Sequence, residues 1–312
     1  MSASGPDVID YQKLLDEIAR EVEPLYGQGK VASYIPALAR VPARKFGMAL
    51  TTLDGKTYRT GDATENFSVQ SITKVFTLSI AMAYMTGELW RRVGREPSGN
   101  PFNSLVQLEY EHGVPRNPFI NAGALVIADV IAAHSPDPKG LIRDFVRRTS
   151  ANPSIDYDLE VARSEAEAGF RNAAMANFMK SHGNIESPVE TVLDIYFTQC
   201  SLAMNCVDLS RAFLHLANQG RSPITGDEVA TPRKTRRINA LMLTCGLYDA
   251  AGRFAFHVGL PAKSGVGGGI VAVAPRHYSV CVWSPELDTT GNSVLGSHAL
   301  EMLTNRTGVS IF

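Results

Sequence analysis

The chain has 312 residues, of which 45% are hydrophobic and 20% are charged, and its formal net charge at pH 7 is −1. This length suggests one large or two intertwined domains, and the balanced charge argues against a nucleic-acid partner or a polybasic membrane protein. The most apolar run, residues 75–85, is too short to span a bilayer. The opening residues carry no signal-peptide pattern, which favours a cytoplasmic location.

The cysteines and histidines show no metal-binding spacing. Four cysteines occur without a C-x-x-C pair, and seven histidines occur without an H-x-x-x-H or H-E-x-x-H pattern. We therefore expect buried, reduced thiols and no metal ion. The cysteines concerned are Cys200, Cys206, Cys245 and Cys281.

The first third of the chain predicts a helix, a β-hairpin and a second helix. Residues 11–24 have helical periodicity that ends at a proline, and residues 46–62 predict two short strands joined by an Asp-Gly turn. The run of residues 71–85 is apolar on every side. This pattern is typical of a helix buried inside the protein rather than laid on its surface.

The middle of the chain, residues 88–245, is predominantly helical by pattern. In "SPVETVLDIYFTQC", Ser187 and Glu190 predict a capping box at a helix start. Asn121 stands at the head of another helix as a candidate N-cap. The helical segments are residues 121–134, 159–183, 187–200, 206–220 and 231–246.

The last part of the chain returns to strand patterns. "RFAFHVG" (253–259), "GGIVAVAP" (268–275) and "YSVCVWSP" (278–285) predict strands, and residues 291–308 predict a closing helix. Strands thus flank a helical middle, which predicts an α/β fold with an antiparallel sheet flanked by helices and an inserted all-helical domain. We expect residues 1–65 and 246–312 to form the discontinuous α/β domain. Residues 66–245 would form the helical domain, with the buried helix at the interface.

Ser71 and Lys74 form an S-x-x-K motif at the head of that buried helix. Positions i and i+3 share a helix face, so the hydroxyl and the amine can point into one cleft. A lysine in a dry environment tends to lose its proton, and a neutral amine is a workable base for a nucleophilic hydroxyl. The simpler interpretation is that Ser71 caps the helix and Lys74 reaches solvent, and for an isolated motif it is favoured.

A second motif, Lys263-Ser264-Gly265, lies in the glycine-rich stretch "LPAKSGVGGG". By itself it is typical of a hairpin turn, but S-x-x-K followed by K-[ST]-G marks the penicillin-recognising serine enzymes. In that arrangement a backbone N–H of the late strand completes an oxyanion hole with that of Ser71. The third motif of those enzymes, S-D-N, is absent, so we do not expect a cell-wall peptide as substrate.

Several separated motifs together resemble the serine-dependent glutaminases of bacterial type, which have a β-lactamase/transpeptidase-like fold. The resemblance runs from about residue 10 to the end and lacks the ankyrin repeats of the animal enzymes. It implies an amidohydrolase that converts L-glutamine to L-glutamate and ammonia, without a cofactor, as a homodimer or homotetramer. The motifs are "KVASYIPALA", "QSITKVF", "GREPSGNPFN", "RNPFINAGAL", "SPITGDEV", "CGLYDAAGRFAFHVGLPAKSGVGGGI" and "CVWSPELDTTGNSVLG".

The resemblance also assigns roles to individual residues. It implies that Ser71 is the nucleophile, that Lys74 is the base, and that Tyr34 and Tyr248 belong to the catalytic group. Lys263 would have a supporting role. The implied substrate-binding residues are Ser71, Asn121, Glu165, Asn172, Tyr196, Tyr248 and Val266, the last through its backbone N–H.

Other interpretations remain open at this stage. Asn121 can be a helix cap instead of a ligand, Tyr34 can be a half-buried aromatic residue, and Glu167 is an alternative to Glu165 as the binding acid. The alternative functions are an esterase or β-lactamase-like amidase on the same scaffold, and a catalytically silent glutamine sensor.

Overall fold

The computed structural model describes residues 9–85, 87–99 and 104–312. Residues 1–8 of the expected first domain, and residues 100–103 of the motif "GREPSGNPFN", lie outside this part. Each helix within the described residues is too short or too polar to cross a bilayer.

The described residues form fourteen α-helices and eight β-strands. The helices are α1 (Tyr11–Val22), α2 (Thr73–Tyr84), α3 (Leu89–Arg92), α4 (Leu105–Tyr110), α5 (Asn121–His134), α6 (Pro138–Ser150), α7 (Leu159–Glu167), α8 (Phe170–Ser181), α9 (Val189–Cys200), α10 (Cys206–Ala212), α11 (Leu214–Ala217), α12 (Pro232–Cys245), α13 (Ala251–His257) and α14 (Val294–Thr307). The strands are β1 (Gly47–Thr52), β2 (Thr57–Gly61), β3 (Phe67–Ser68), β4 (Asp156–Tyr157), β5 (Leu202–Met204), β6 (Ala262–Ser264), β7 (Gly269–Ala274) and β8 (Tyr278–Trp283).

A five-stranded antiparallel sheet combines the two ends of the chain. Its strand order is β2-β1-β8-β7-β6, so the early hairpin pairs with the late strands. The turn between β1 and β2 contains Gly55 with a φ of +83°, a backbone conformation that glycine adopts without strain. The predicted hairpin and the predicted antiparallel sheet flanked by helices are therefore confirmed.

Both faces of this sheet are covered, which explains why its central strands are apolar throughout. Successive side chains of a strand point to opposite faces. Met48 and Leu50 join the core beneath α1 and α14, whereas Ala49 joins the larger core of the helical segment. Every residue of β7 and β8 is buried. The sheet thus has α1 and α14, from the two ends of the chain, on one face and the helical middle of the chain on the other.

Helix α2 lies in the centre of the larger core. Ten of its twelve residues are buried, Lys74 among them, and it packs against α5, α6 and α12. The prediction of a helix buried on all sides is confirmed. A lysine one turn from the helix start is consequently enclosed by protein.

The stretch "RFAFHVG" was predicted as a strand, and this is wrong because it forms helix α13 and the turn that follows it. Phe254 and Val258 are buried four residues apart, and Ala250, directly before α13, continues this spacing, while Phe256 is 86% exposed. That spacing is helical, and a strand would have buried Phe254 and Phe256 together.

Two further details of the helical segment differ from the sequence predictions. The predicted helix over residues 159–183 breaks at Gly169 into α7 and α8. The capping box at Ser187 is wrong: Pro188 is the N-cap of α9 and no side chain caps it. The segment also contains a small antiparallel sheet of order β3-β5-β4, whose two- and three-residue strands are too short to leave a periodic pattern. The boundaries of the two domains stay a prediction.

Asp129 of α5 contacts two other parts of the helical segment, namely α3 and the loop that precedes α9. It is fully buried, it forms an ion pair with Arg92, and its oxygens accept the backbone N–H groups of Glu186 and Ser187 at 3.1 and 2.7 Å. Burial alone would raise the pKa of Asp129, but these hydrogen bonds outweigh it and lower the pKa. The stability that the pair contributes is therefore present above the ordinary aspartate pKa and is lost as the pH falls.

We expect Asp129→Ala to lower the free energy of unfolding by about 3–5 kcal/mol, because it leaves the partly buried Arg92 charge and two N–H groups without their acceptor. Urea unfolding followed by circular dichroism measures this. The matched control is Asp144→Ala, whose carboxylate is 70% exposed and lies 3.8 Å from Arg143. It should change stability by less than about 0.5 kcal/mol, and equal effects of the two variants would contradict this account.

Candidate active site

Ser71 lies in a tight turn immediately before α2. The turn is a 3-10 helix spanning Gln70–Ile72, and the N-cap of α2 is Ile72, with no side chain capping the helix. The interpretation of Ser71 as a helix cap is therefore wrong. Gln70 has a φ of +52°, which is rare for a residue with a side chain. Such strained positions cluster at functional sites, and this one directs the 8%-exposed Ser71 toward the interior.

Lys74 is one turn further along and is only 1% exposed, so the interpretation in which it reaches solvent is wrong. Its Nζ donates to the carbonyl of Phe119 at 3.2 Å and to Oδ1 of Asn121 at 2.8 Å. Burial lowers the pKa of Lys74 to about 8, and electrostatic interactions with Cys200 and Glu165 oppose that shift only in part. A substantial fraction of this amine is neutral near pH 8.

Asn121 links Lys74 to a second amide. Its Oδ1 accepts the bond from Lys74, and its Nδ2 donates to Oδ1 of Asn172 at 3.0 Å. The side chain of Asn117, not that of Asn121, accepts the two backbone N–H groups that precede α5. The capping interpretation of Asn121 is therefore wrong. The break between α7 and α8 places Asn172 in the first turn of α8, beside Asn121.

Glu165 is a buried acid within the electrostatic reach of Lys74. Burial raises the pKa of Glu165 to about 7. A hydrogen bond from Gln70 and the positive charge of Lys74 lower this pKa, but their effect is smaller than that of burial. Its Oε1 is buried and has no hydrogen-bond partner within the described residues. Glu167 is exposed to solvent. Of the two acids, only Glu165 belongs to this cluster.

Tyr248 and Lys263 form the opposite side of the cluster. Tyr248 has a φ of +52°, and burial raises its pKa to about 12, although hydrogen bonds with the side chains of Ser71 and Ser264 work against that rise. Lys263 is fully buried, and its Nζ lies 4.6 Å from the centre of the Tyr248 ring. Its Nζ donates to the carbonyl of Ser264 at 2.6 Å. Burial and the charge of Lys74 hold the pKa of Lys263 well below its usual range.

The strand with the Lys263-Ser264-Gly265 motif lies directly against Ser71. A Cβ on Gly265 would lie 2.5 Å from the carbonyl oxygen of Val69 and 3.3 Å from the backbone nitrogen of Ser71. Val266 follows and is 6% exposed. Among the described residues, the backbone N–H groups of Ser71 and Val266 donate to no protein acceptor. Two buried N–H groups are thus available beside the Ser71 hydroxyl.

Two more tyrosines border the cluster. Tyr196 is buried, and its ring centre lies 5.8 Å from Nζ of Lys74. Tyr34 is 56% exposed, and it precedes Ile35, which packs with Val266. Partial desolvation by the surrounding protein raises the pKa of Tyr34, and electrostatic interactions with Tyr248 and Glu165 raise it further. Tyr34 therefore lies at the rim of the cluster, not in its interior.

The structure adds participants that the sequence analysis did not identify. These are Gln70 beside Glu165, the carbonyl of Phe119 on Lys74, and Ser264 beside Tyr248. All three lie within the quoted motifs, but the sequence analysis gave them no role, because backbone conformation and carbonyl positions leave no signal in a sequence. No group of three or more His, Cys, Asp or Glu within the described residues is arranged to hold a metal ion.

The cluster has the elements of nucleophilic acyl transfer. A hydroxyl and an amine with a depressed pKa lie one helical turn apart, and the adjoining segments present two N–H groups that donate to no protein acceptor among the described residues. The buried carboxylate provides a counter-charge for a cationic group of a ligand. These features fit an amide or ester substrate that carries a positive charge.

Comparisons with known proteins agree with this chemistry. A family model described as Glutaminase matches residues 29–312. The glutaminase of Rhizobium leguminosarum bv. trifolii (strain WSM2304) is 57% identical over 305 residues, which is 97% of this chain and 99% of that protein. A solved structure of the probable glutaminase ybaS has a TM-score of 0.93 at 34% identity and covers 98% of this chain and 99% of its own.

A second solved structure is a covalent complex between the Bacillus subtilis glutaminase YbgJ and 5-oxo-L-norleucine, formed by reaction with 6-diazo-5-oxo-L-norleucine. It has a TM-score of 0.86 at 31% identity and covers 97% of this chain and 100% of its own. The agreement in fold over nearly the whole chain confirms the expected β-lactamase-like α/β architecture. The chain belongs to the glutaminase family and is a glutaminase of the bacterial type.

Proposed function

We propose that this glutaminase hydrolyses the side-chain amide of L-glutamine to L-glutamate and ammonia through an ester on Ser71, with Lys74 as general base. The observation that carries the proposal is the buried Lys74 amine, with a pKa of about 8, one turn from the buried hydroxyl. The covalent complex of the Bacillus subtilis relative supports it, because the diazoketone of that reagent replaces the side-chain amide of glutamine and reacts with a nucleophile.

In the first step Ser71 Oγ attacks the side-chain carbonyl carbon while its proton passes to neutral Lys74, directly or through a tyrosine hydroxyl. Tyr248 is the better relay because its hydroxyl interacts with the Ser71 side chain. The oxyanion accepts hydrogen bonds from the backbone N–H groups of Ser71 and Val266, which have no protein acceptor among the described residues. Return of the proton to the amide nitrogen breaks the C–N bond and releases ammonia.

In the second step a water molecule replaces ammonia. Lys74, neutral again, takes a proton from the water, and the resulting hydroxide adds to the ester carbonyl. Collapse of this second intermediate returns the proton to Ser71 and releases L-glutamate. Lys263 supports the geometry of both steps in this proposal, since its amine packs against the Tyr248 ring and has a lowered pKa, which limits a second positive charge near Lys74.

The amino-acid end of glutamine would bind on the side of α7 and α8. Glu165 has a buried oxygen without a partner in the described structure, and an α-ammonium group satisfies both its charge and its hydrogen bond. Asn121 and Asn172 supply neutral amides for the α-carboxylate. Buried Tyr196 and exposed Tyr34 border the same cluster, and in this proposal both contact the bound substrate. The homodimer or homotetramer and the cytoplasmic location stay predictions of the sequence.

We expect Ser71→Ala to lower kcat for ammonia release from L-glutamine by about 10⁴-fold or more, because it removes the nucleophile. Intact-protein mass spectrometry after treatment with 6-diazo-5-oxo-L-norleucine should show one adduct on the wild type and none on the variant. The matched control is Ser79→Ala on the same helix, whose buried hydroxyl donates to the carbonyl of Val75. The Ser79→Ala variant should retain activity and should form the adduct as the wild type does.

Near-wild-type turnover by Ser71→Ala would rule out Ser71 as the nucleophile. A wild type that hydrolyses simple esters but no glutamine would favour the related esterase or amidase. A wild type that binds glutamine but forms neither ammonia nor an adduct would favour the silent sensor.

A second prediction concerns the contact between Gly265 and the Ser71 turn. We expect Gly265→Ala to lower kcat about 10²-fold, because the added methyl pushes the strand away and displaces the oxyanion donors. Gly252→Ala is the control, since a Cβ there meets nothing within 4 Å. Glutamine kinetics and thermal unfolding of both variants measure the effect, and full activity of a folded Gly265→Ala protein would contradict the proposed oxyanion site.

A further inference from the structure

A second cleft lies at the other end of α2 from Ser71, and half of its lining residues are lysine or arginine. Its volume is about 670 Å³, and its lining includes Met82 in the last turn of α2 and Met85 directly after that helix. Lys74 and Met85 are eleven residues apart, a distance of about 16 Å along a helix. The cleft is therefore separate from the active site. We call it the basic cleft and define it by Trp90, Arg91, Arg95, Arg233, Lys234 and Arg237.

Within the described parts of the chain, the cations of the basic cleft have no acidic partners. Its described lining contains five lysine or arginine side chains and no aspartate or glutamate. None of the five forms an ion pair within the part of the chain that the structure describes. The neighbouring Arg92, by contrast, pairs with Asp129 and with Glu186. Five positive charges without an acidic partner line this one cleft, and because like charges repel one another, a bound anion would stabilise the arrangement.

The local sequence of α12 adds to this repulsion. Arg233, Lys234 and Arg237 lie in its first two turns, where the helix dipole is positive, and its first turn contains no acidic residue. Arg233 and Arg237 are four residues apart, so their like charges share one face. These positive charges at the start of α12 lower the stability of the helix, and no acidic residue in the described structure pairs with them. Local conflicts of this kind are expected where a protein binds a ligand.

The shape of the basic cleft indicates the size of the anion. Its volume lies within the range of small-molecule sites, about 300–1,000 Å³. The half-buried Trp90 ring forms one wall, with the guanidinium of Arg95 5.8 Å from the ring centre. We propose that the basic cleft binds a compact polyphosphate anion, either free or as the phosphate chain of a nucleotide. The concave wall and the near-neutral charge of the chain disfavour an extended nucleic acid.

Binding of inorganic triphosphate to the intact protein, without divalent cations, tests this proposal. The chain has two tryptophans, and Trp283 is buried to 1% exposure, so a change in fluorescence on titration reports on Trp90. We expect saturable binding with one site per chain that weakens as the salt concentration rises. Isothermal titration calorimetry gives the stoichiometry and Kd.

The decisive comparison is between two adjacent charge reversals on α12. Arg237 lines the basic cleft, whereas Arg236 lines a different cleft on the other side of the helix. We expect Arg237→Glu to raise Kd at least tenfold and Arg236→Glu to raise it less than threefold, with glutaminase activity as the control for folding in both. Tighter binding of adenosine triphosphate than of triphosphate would identify a nucleotide, and equal binding would identify the phosphate chain alone. No saturable binding, or equal weakening by both variants, would overturn the proposal.

Discussion

The enclosure of the Lys74 amine in the centre of the helical segment is the constraint on which the rest of the site depends. A charged amine in a dry interior is costly, and here two acceptors and a distant carboxylate offset only part of that cost, so its pKa falls to about 8. Enclosure requires that α2 be apolar on every side and that other helices cover it. The pattern that makes α2 a core helix is therefore also what lowers the pKa of Lys74, and the proposed role of this amine as general base depends on that lowered pKa.

Ionisable groups in this protein influence one another across the cluster. Glu165 lowers the cost of a charged Lys74, and Lys74 in turn makes a charged Lys263 less favourable. A substrate with an α-ammonium group adds a positive charge beside Glu165, which favours the ionised carboxylate. In the proposed mechanism, substrate binding and the protonation of Lys74 are thus coupled through the electrostatic interaction between Glu165 and Lys74. The exposed cations at the far end of α2 are outside this coupling.

The sequence predicted those elements that have a clear hydrophobic pattern, and its short motifs predicted which elements form the site. Helix α2, the β1–β2 hairpin and strands β7 and β8 follow from hydrophobic patterning, and the two serine–lysine motifs indicated which elements meet. Patterning failed for α13, where alternating aromatic residues imitate a strand although only Phe254 is buried. It also could not show the left-handed backbone of Gln70 and Tyr248, nor choose between Glu165 and Glu167. Those features depend on tertiary contacts that a single sequence does not encode locally.

The most direct test of the account is the pKa of the Lys74 amine itself. The protein can be labelled with ¹³C at the lysine ε-carbon and titrated by NMR, with Lys74→Arg and Lys263→Arg variants to assign the two buried amines. The account predicts a signal that titrates near pH 8 and is absent from Lys74→Arg. A Lys74 signal that titrates above pH 10, like an exposed lysine, would contradict the central claim that burial makes this amine the base.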